Sequence, residues 1–130
     1  MAAGLRVWRI CKLRHAAAAL SGEGTRLFAA RWNPVGVRMV YTASSLSLAL
    51  VETFVPLDAS QEPGSLVSME ALLPVEEAAV ARLEVKSLPK DWKRIDHPAL
   101  QKLGQEWVRS GRSLALMAPS AVVRGSGMCW

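Results

Sequence analysis

The first half of the chain alternates between segments typical of strands and segments typical of helices. Leu5–Ile10 alternates apolar and polar positions, which predicts a strand with one buried face. Lys12–Leu20 favours a helix, and the glycine-containing stretch Ser21–Gly24 is expected to end it. Val37–Tyr41 is predicted to form a second strand, after a turn-rich loop at Arg31–Gly36.

A helix that is apolar on nearly all sides is predicted next. Ser44 or Ser45 can cap it, and it runs to about Val55. An all-apolar helix is typical of a buried element. Its only charged residue is Glu52, and a buried carboxylate costs several kcal/mol unless it is paired, hydrogen-bonded or neutral. Two interpretations stay open: a structural ion pair or solvent-facing helix edge, and a carboxylate held for chemistry at a site.

Shorter elements are predicted in the second half, and they mix without a regular βαβ alternation. The fold class is therefore α+β, in a single domain that spans residues 1–130. The predicted elements are a loop at Pro56 and Asp58–Gly64, a strand at Ser65–Leu73, a short helix or loop from Pro74 to about Ala81, a strand at Arg82–Ser87, a turn at Pro89–Trp92, a helix at Pro98–Ser110 ended by Gly111, a strand at Leu114–Met117 stopped by Pro119, and a flexible tail at Gly125–Gly127.

Length and composition indicate the class of protein. With 130 residues, 51% apolar and 21% charged, the chain is expected to fold as one globular domain. No apolar run approaches the roughly 18–20 residues needed to cross a bilayer, so no membrane span is expected. Cys11 and Cys129 are too few for a disulfide framework and form no C-x-x-C zinc pattern, which favours a reducing, cytoplasmic location.

The net charge of +5 is unevenly distributed along the chain. Residues 1–45 carry +6, residues 46–85 carry −6 and residues 86–130 carry +5. A basic first third indicates a partner with phosphate groups. Pairing of the opposite charges within the fold explains the same pattern, and the sequence leaves both interpretations open.

Several common catalytic and nucleotide-binding motifs are absent from the sequence. It contains no G-x-x-x-x-G-K-[ST], G-x-G-x-x-G, H-E-x-x-H or G-x-S-x-G. His15 and His97 are interpreted as solvated or capping side chains. A triad of Ser120, His97 and Asp96 is disfavoured, because adjacent Asp and His side chains point to different sides of most backbones.

The loop Arg31-Trp-Asn-Pro-Val-Gly36 places an arginine, an aromatic ring and an amide just before the strand that ends at Tyr41. Arginine can bind a pyrophosphate, and Trp or Tyr can stack on a planar base. The alternative is a core Trp beside a solvent-facing Arg.

A series of short motifs follows along the chain: Arg31-Trp-Asn-Pro-x-Gly36, Val40-Tyr-Thr-Ala-Ser44, Leu48-Ala-Leu-Val-Glu52, Leu88-Pro-x-x-Trp92, Gln101-x-x-Gly104-x-x-Trp107, Ser113-Leu-Ala-Leu116 and Pro119-Ser-Ala-Val-Val123. In this order they resemble the RES-domain family, the toxins of bacterial Xre-RES toxin–antitoxin pairs. The resemblance covers about residues 5–123 and is far more specific than any one motif.

The resemblance implies an α+β fold related to ADP-ribosyltransferases. It also implies a growth-poisoning toxin that consumes NAD as its substrate and requires no metal. The implied partner is an Xre-type helix-turn-helix antitoxin, which neutralises the toxin and carries any contact with DNA. Self-association into a homodimer stays open.

The resemblance also indicates which residues form the site. The family is named for an Arg, a Glu and a Ser, and Arg31, Glu52 and Ser120 match those positions. Tyr41 matches an active-site Tyr of the family, and Arg9 lies where many members have a first-strand Arg. The implied catalytic set is Glu52, Arg31 and Tyr41, and the implied NAD-binding set is Arg31, Tyr41, Ser120 and Arg9.

These residues imply a mechanism. Breaking the nicotinamide–ribose bond builds an oxocarbenium-like cation, which Glu52 would stabilise directly or by holding the ribose hydroxyls and a water. Arg31 would hold the pyrophosphate, Tyr41 would flank the nicotinamide, and Ser120 would bond the ribose or the carboxamide. The acceptor stays open: water or phosphate gives hydrolysis or phosphorolysis, and a protein side chain gives an ADP-ribosyltransferase that modifies a host protein.

Two departures from the family pattern affect these expectations. The chain has Ala29-Ala30 where the family usually has Gly-Gly. After Val123 it ends in Arg124–Trp130, in place of an acidic and Asn-rich continuation. Residues 124–130 are therefore expected to be an atypical tail from a shifted frame or a truncation. The tail favours a further alternative, an inactive remnant that only binds its antitoxin.

Overall fold

A six-stranded sheet organises the residues that the computed structural model describes, which are 4–54, 65–76, 79–94, 96–121 and 127–129. In spatial order the strands are β3 (Leu66–Leu73), β1 (Leu5–Lys12), β2 (Thr42–Ala43), β6 (Gly127–Cys129), β5 (Leu116–Pro119) and β4 (Ala81–Arg82). The pair β4–β5 is parallel and the other neighbours are antiparallel. The α-helices in these ranges are α1 (Glu23–Leu27), α2 (Leu46–Phe54) and α3 (Pro98–Ser110). The predicted α+β class is confirmed.

The longest strand pair joins β1 to β3. Eight residue pairs run from Leu5 opposite Leu73 to Lys12 opposite Leu66. Both strands were predicted from the sequence, and β1 continues two residues beyond the predicted end at Ile10. Arg9 lies on β1, the strand of this pair that also neighbours β2.

Helix α2 begins as its sequence predicts. The Oγ of Ser45 accepts a hydrogen bond from the Leu48 amide at 3.1 Å, which satisfies one of the free N–H groups of the first turn. The predicted end at Val55 lies outside the described residues.

The expectation that α2 is buried on all sides is wrong. Leu48 and Ala49 are buried against the sheet, but Leu46 and Leu50 are 36% and 41% exposed. Only one face of the helix meets the sheet, next to Trp8. The residues between these two faces, Glu52 among them, are half-buried.

Helix α3 has the predicted bounds, Pro98–Ser110. The Nδ1 of His97 accepts a hydrogen bond from the Ala99 amide at 3.2 Å, so His97 caps the helix. Gly111 follows with a left-handed φ of 60°, a conformation that favours glycine and ends the helix.

The helix predicted at Lys12–Leu20 is wrong in type. Residues Leu13–Ala18 form a 3₁₀ helix on the surface with no buried residue, so the segment lacks the packing that stabilises a short α-helix. Gly22, with φ 73°, then starts α1, which was not predicted.

The strand predicted at Val37–Tyr41 is also wrong. The Met39 amide donates to the Thr25 hydroxyl at 2.7 Å, and the Tyr41 carbonyl accepts from the Arg9 side chain at 2.9 Å. Side chains take the backbone groups that a strand would pair, so pairing begins only at β2.

The strand predicted at Arg82–Ser87 is reduced to β4. A 3₁₀ turn at Val85–Ser87 follows, in which the Ser87 hydroxyl donates to the Glu84 carbonyl at 2.7 Å. The turn at Pro89–Trp92 is confirmed. Of the region from Pro74 to Ala81, residues 74–76 are irregular, and residues 77–78 lie outside the described chain, as does the predicted loop at residues 56–64.

The strand predicted at Leu114–Met117 lies two residues later and includes Pro119, its last residue. The flexible tail predicted at Gly125–Gly127 is wrong at Gly127, which pairs with Pro119 in the ladder between β5 and β6. Strand β6 also pairs with β2, and its three residues, Gly-Met-Cys, are too few to show the alternation that predicts a strand. Residues 125–126 lie outside the described chain.

The core lies where α3 meets the sheet and the turn at residues 31–34. Trp32 and Leu100 have no exposed surface and pack with Met39, Trp92, Leu116 and Ala118. Gly104 permits the closest approach: a Cβ built on it would lie 1.7 Å from the Trp32 carbonyl oxygen. Helix α3 therefore packs directly on the backbone next to Arg31.

Candidate active site

A cavity of about 190 Å³ opens where β1, β2, α2 and the turn at residues 31–33 meet the end of β5. Four of the predicted site residues line it: Arg9, Arg31, Tyr41 and Glu52. The fifth, Ser120, is bonded to one of them. The structure thus brings all five together from separate elements. The apolar part of the wall is formed by Trp8, Trp32, Ala43, Ala49, Pro119 and Ala121.

The carboxylate of Glu52 is held by a serine that lies 68 residues later in the sequence. The Ser120 hydroxyl, which is buried, donates a hydrogen bond to Glu52 Oε1. The bond joins the last turn of α2 to the residue that follows β5. No ion pair to Glu52 is found among the described residues, so the structural ion pair considered from the sequence is not what holds it.

Arg9 reaches the cavity from the inner strand β1. One terminal nitrogen donates to the Tyr41 carbonyl at 2.9 Å, and burial lowers the pKa of the guanidinium. Its Nε is buried and has no hydrogen-bond partner among the described residues. A buried donor of this kind is costly unless a ligand or water satisfies it.

The ring of Tyr41 is fixed through its hydroxyl. That hydroxyl donates to Asn33 Oδ1 and accepts from the Trp32 amide at 3.1 Å. Burial raises the pKa of the phenol well above its usual value, and the Trp32 amide and the Arg31 charge only partly offset this. Tyr41 is therefore a neutral phenol at physiological pH.

Arg31 sits on a turn that α3 holds in place. One of its terminal nitrogens donates to the Trp92 carbonyl at 3.2 Å, and Gln101 on α3 donates to the Ala30 carbonyl at 3.2 Å. Ala29 is exposed and Ala30 is half-buried, and neither lines the cavity. The methyl groups that replace the usual glycines therefore do not narrow it.

The charged side chains that line the cavity carry a net positive charge. Arg9 and Arg31 face one carboxylate, that of Glu52. Elsewhere Arg6 of the basic first third pairs with Glu70 of the acidic middle segment at 3.0 Å. This pair favours the intramolecular explanation for part of the charge pattern. The two cavity arginines make no ion pair among the described residues.

Other sequence candidates lie away from the cavity. The Nε2 of His97 contacts Asp91 at 2.8 Å, and that hydrogen bond lowers the pKa of the carboxyl group. His97 thus faces neither Asp96 nor Ser120, and the disfavoured triad does not form. Within the described ranges no group of three His, Cys, Asp or Glu side chains could hold a metal ion. No described helix is long and apolar enough to cross a bilayer.

Sequence reasoning missed two parts of the site. Trp8 lines the cavity from β1, and its alternating position in the strand marked only a buried face. Asn33 was noted as an amide in the loop but was given no role, although it bonds the Tyr41 hydroxyl. The signal that could have found it is a polar residue between two apolar ones in a turn, next to Arg31.

Comparisons with known proteins agree on one family. The family model described as "RES domain" matches residues 6–130, which includes the tail at 124–130. A protein named Toxin Res from Yersinia enterocolitica serotype O:8 / biotype 1B is 32% identical over 121 residues, covering 92% of this chain and 78% of the relative.

Two further relatives extend this comparison. Toxin Res from Photorhabdus laumondii subsp. laumondii is 31% identical over 120 residues, covering 90% of this chain and 74% of the relative. A protein named Prs ADP-ribosylating toxin from Sphingobium sp. is 37% identical over 108 residues, covering 80% of this chain and 66% of the relative. That name is consistent with the expected relation of the fold to ADP-ribosyltransferases. The chain belongs to the RES domain family.

Proposed function

We propose that this chain is a toxin that consumes NAD by breaking the bond between nicotinamide and ribose. One observation carries the proposal: the Glu52 carboxylate, held by Ser120, lies in the same cavity as Arg9, Arg31 and Tyr41. A carboxylate, two guanidinium groups and an aromatic ring are the groups that a cationic glycosidic transition state with a pyrophosphate attached requires.

Glu52 stabilises the charge that develops in this reaction. As nicotinamide leaves, the ribose carbon gains oxocarbenium character, and a fixed carboxylate is attracted to that cation more strongly than to the ground state. The Ser120 hydroxyl engages Oε1 and so fixes the carboxylate before substrate binds. The second carboxylate oxygen then meets a ribose hydroxyl or orients the attacking group. Ser120 also keeps its proposed role in NAD binding, as a hydrogen-bond partner of the ribose or of the carboxamide.

Arg9 and Arg31 hold the pyrophosphate. Two guanidinium groups match the two negative charges, and charge-assisted hydrogen bonds to phosphate are among the stronger ones in proteins. The Arg9 Nε supports this role because it is buried and finds no acceptor in the described protein. Tyr41 flanks the nicotinamide with its ring.

The size of the cavity limits which part of NAD it encloses. At about 190 Å³ it is smaller than the roughly 300–1,000 Å³ typical of sites that enclose a drug-sized ligand. The nicotinamide and its ribose therefore occupy the cavity, and the adenosine half lies along its open side.

Three acceptors give three versions of the activity. Water gives hydrolysis, phosphate gives phosphorolysis, and a protein side chain gives ADP-ribosyl transfer. Transfer to a host protein is the second candidate function, and it is favoured by the relative named Prs ADP-ribosylating toxin. All three share the first bond cleavage, so the roles of Glu52 and the arginines are the same in each.

The proposal includes a protein partner. An Xre-type helix-turn-helix antitoxin neutralises this chain in the cytoplasm and makes any contact with DNA, so the purified chain alone should show no salt-sensitive DNA binding. A homodimer is compatible with this arrangement. The inactive-remnant alternative predicts antitoxin binding without turnover. Pairing of Gly127–Cys129 with both β2 and β5 makes this part of the tail a strand of the sheet, which favours the enzyme over the remnant.

Product analysis separates these versions. The purified chain is incubated with NAD labelled in the adenosine half, with and without phosphate, and then with host-cell lysate. Free ADP-ribose identifies hydrolysis, a phosphorylated ADP-ribose identifies phosphorolysis, and label on a protein band identifies transfer. Labelled products that form equally with Glu52→Gln, or no product under any condition from the folded chain, would refute the proposal.

A further inference from the structure

Asn33 is a fully buried polar residue whose side chain is completely used. It has no exposed surface. Its Nδ2 lies within hydrogen-bond distance of three backbone carbonyls, those of Thr25 at 3.0 Å, Phe28 at 3.3 Å and Pro34 at 3.1 Å. Its Oδ1 accepts from the Tyr41 hydroxyl. One amide therefore ties α1 and the turn that carries Arg31 to the ring of Tyr41.

The direction of these bonds decides what Tyr41 can do. Because the phenol donates its proton to Asn33 and accepts from the Trp32 amide, its hydroxyl is engaged within the protein. Tyr41 lines the cavity, so it can still act on a substrate through the position of its aromatic ring. Arg31 lies two residues before Asn33 in the same turn, and its guanidinium donates separately to the Trp92 carbonyl.

We propose that Asn33 is a positioning residue for the reaction: its amide holds the ring of Tyr41 against the turn that carries Arg31. This inference rests on the proposed function. It adds that Tyr41 acts by its placement and that its hydroxyl transfers no proton to or from the substrate. Small errors in the placement of reacting groups lower the reaction rate by large factors, so a residue that only fixes the Tyr41 ring can have a large effect on kcat.

The first test is Tyr41→Phe, which keeps the ring and removes the hydroxyl, and with it the bonds to Asn33 and to the Trp32 amide. We expect nicotinamide release to fall about 10-fold in kcat, with an unchanged pH profile, because the ring loses its anchor but stays in the cavity. A loss beyond about 100-fold with a shifted pH profile would mean that the hydroxyl itself transfers a proton, and would overturn the inference. An unchanged kcat would overturn it as well.

The second test is Asn33→Leu, alone and combined with Tyr41→Phe. Leucine has a similar size and removes every bond of the amide. We expect a fall in kcat of about 100-fold for the single variant, and no further fall for the double variant, since both changes break the same link. Losses that multiply, to about 1,000-fold, would show that the two residues act independently. If Asn33→Leu does not fold, the Tyr41→Phe test decides.

A spectroscopic readout distinguishes positioning from loss of stability. Tyr41 is the only tyrosine of the chain, so labelling with fluorotyrosine gives a single ¹⁹F signal from the site. We expect that signal to broaden or split in Asn33→Leu and to stay sharp in Ser113→Ala. The control loses the hydrogen bond that Trp107 donates to Ser113 at 2.9 Å, away from the cavity. A sharp, unshifted signal in folded Asn33→Leu would overturn the inference.

The two hypotheses fail in different ways. A folded wild-type chain without nicotinamide release refutes the proposed function and the positioning role with it. A wild-type chain that is active, with independent losses in the double variant or an unchanged ¹⁹F signal, refutes only the role of Asn33.

Discussion

Replacing Gly104 with alanine tests the packing on which the site depends. A Cβ at this position would lie 1.7 Å from the Trp32 carbonyl oxygen, far inside the 3.0 Å below which real Cβ contacts essentially do not occur. The obstacle is backbone, so it cannot be relieved by a rotamer change. Helix α3 or the turn at residues 31–34 must therefore move by more than 1 Å.

The magnitude follows from two opposing effects. In an unhindered helix, alanine in place of glycine gains about 1 kcal/mol. Overpacking a core costs about 1–3 kcal/mol and more when backbone has to move. Because the clash here is with the backbone of the buried Trp32, the cost is at the upper end, about 3 kcal/mol, and we expect a net loss of about 2 kcal/mol in the free energy of unfolding, or about 8 °C in Tm.

The assay is thermal and urea unfolding of Gly104→Ala beside Gly24→Ala. Gly24 lies in α1, and a Cβ on it would have no atom within 4 Å, so the control should be unchanged or slightly stabilised. Gly104→Ala should also lose activity at temperatures where it is folded, because the turn carries Arg31. A Gly104→Ala variant as stable as wild type would refute the packing described here.

Three further predictions concern the cavity. Ser120→Ala should lower kcat about 10-fold while keeping the fold, because Glu52 loses the donor that fixes it; an unchanged rate of nicotinamide release would contradict this. Arg9→Met should raise the KM for NAD about 10-fold with a smaller change in kcat, since a charged hydrogen bond to phosphate is worth about 1.5–3 kcal/mol; an unchanged KM in a steady-state titration would exclude a pyrophosphate contact. Burial raises the pKa of Tyr41, so its contribution to stability is fully present below the unfolded pKa of about 10 and is lost above it, by about 1.4 kcal/mol per pH unit. Urea unfolding between about pH 9 and pH 11 should therefore show a steeper loss for wild type than for Tyr41→Phe, and parallel losses would mean that the phenol is not buried.

Local signals were enough for some elements of the fold. The helix Pro98–Ser110 could be predicted with its bounds because a proline at its start and Gly111 at its end act within a few residues. The strand at Leu5–Ile10 followed from its alternation. By contrast, Val37–Tyr41 looks like a strand and is not one, because Thr25 and Arg9 take its backbone groups from elsewhere in the chain.

The candidate site depends on contacts that are distant in sequence. Glu52 stood out as the one charge in an apolar helix, but its partner Ser120 is 68 residues away and was indicated only by the family resemblance. Asn33 carried only a weak local signal, as a polar residue between Trp32 and Pro34, and its role depends on the hydroxyl of Tyr41. Strand β6 was missed for the same reason: its position in the sheet depends on pairing with β2 and β5, not on its own three residues.

The most direct test of the central claim is the rate of nicotinamide release at saturating NAD by wild type, Glu52→Gln and Glu84→Gln. The same chemical change is made twice, once in the cavity and once on the surface, where the exposed Glu84 pairs with Lys86. We expect Glu52→Gln to lose at least about 100-fold in kcat with an unchanged Tm, and Glu84→Gln to stay within about twofold of wild type. A folded Glu52→Gln variant that releases nicotinamide at the wild-type rate, or a folded wild-type chain that releases none, would contradict the account.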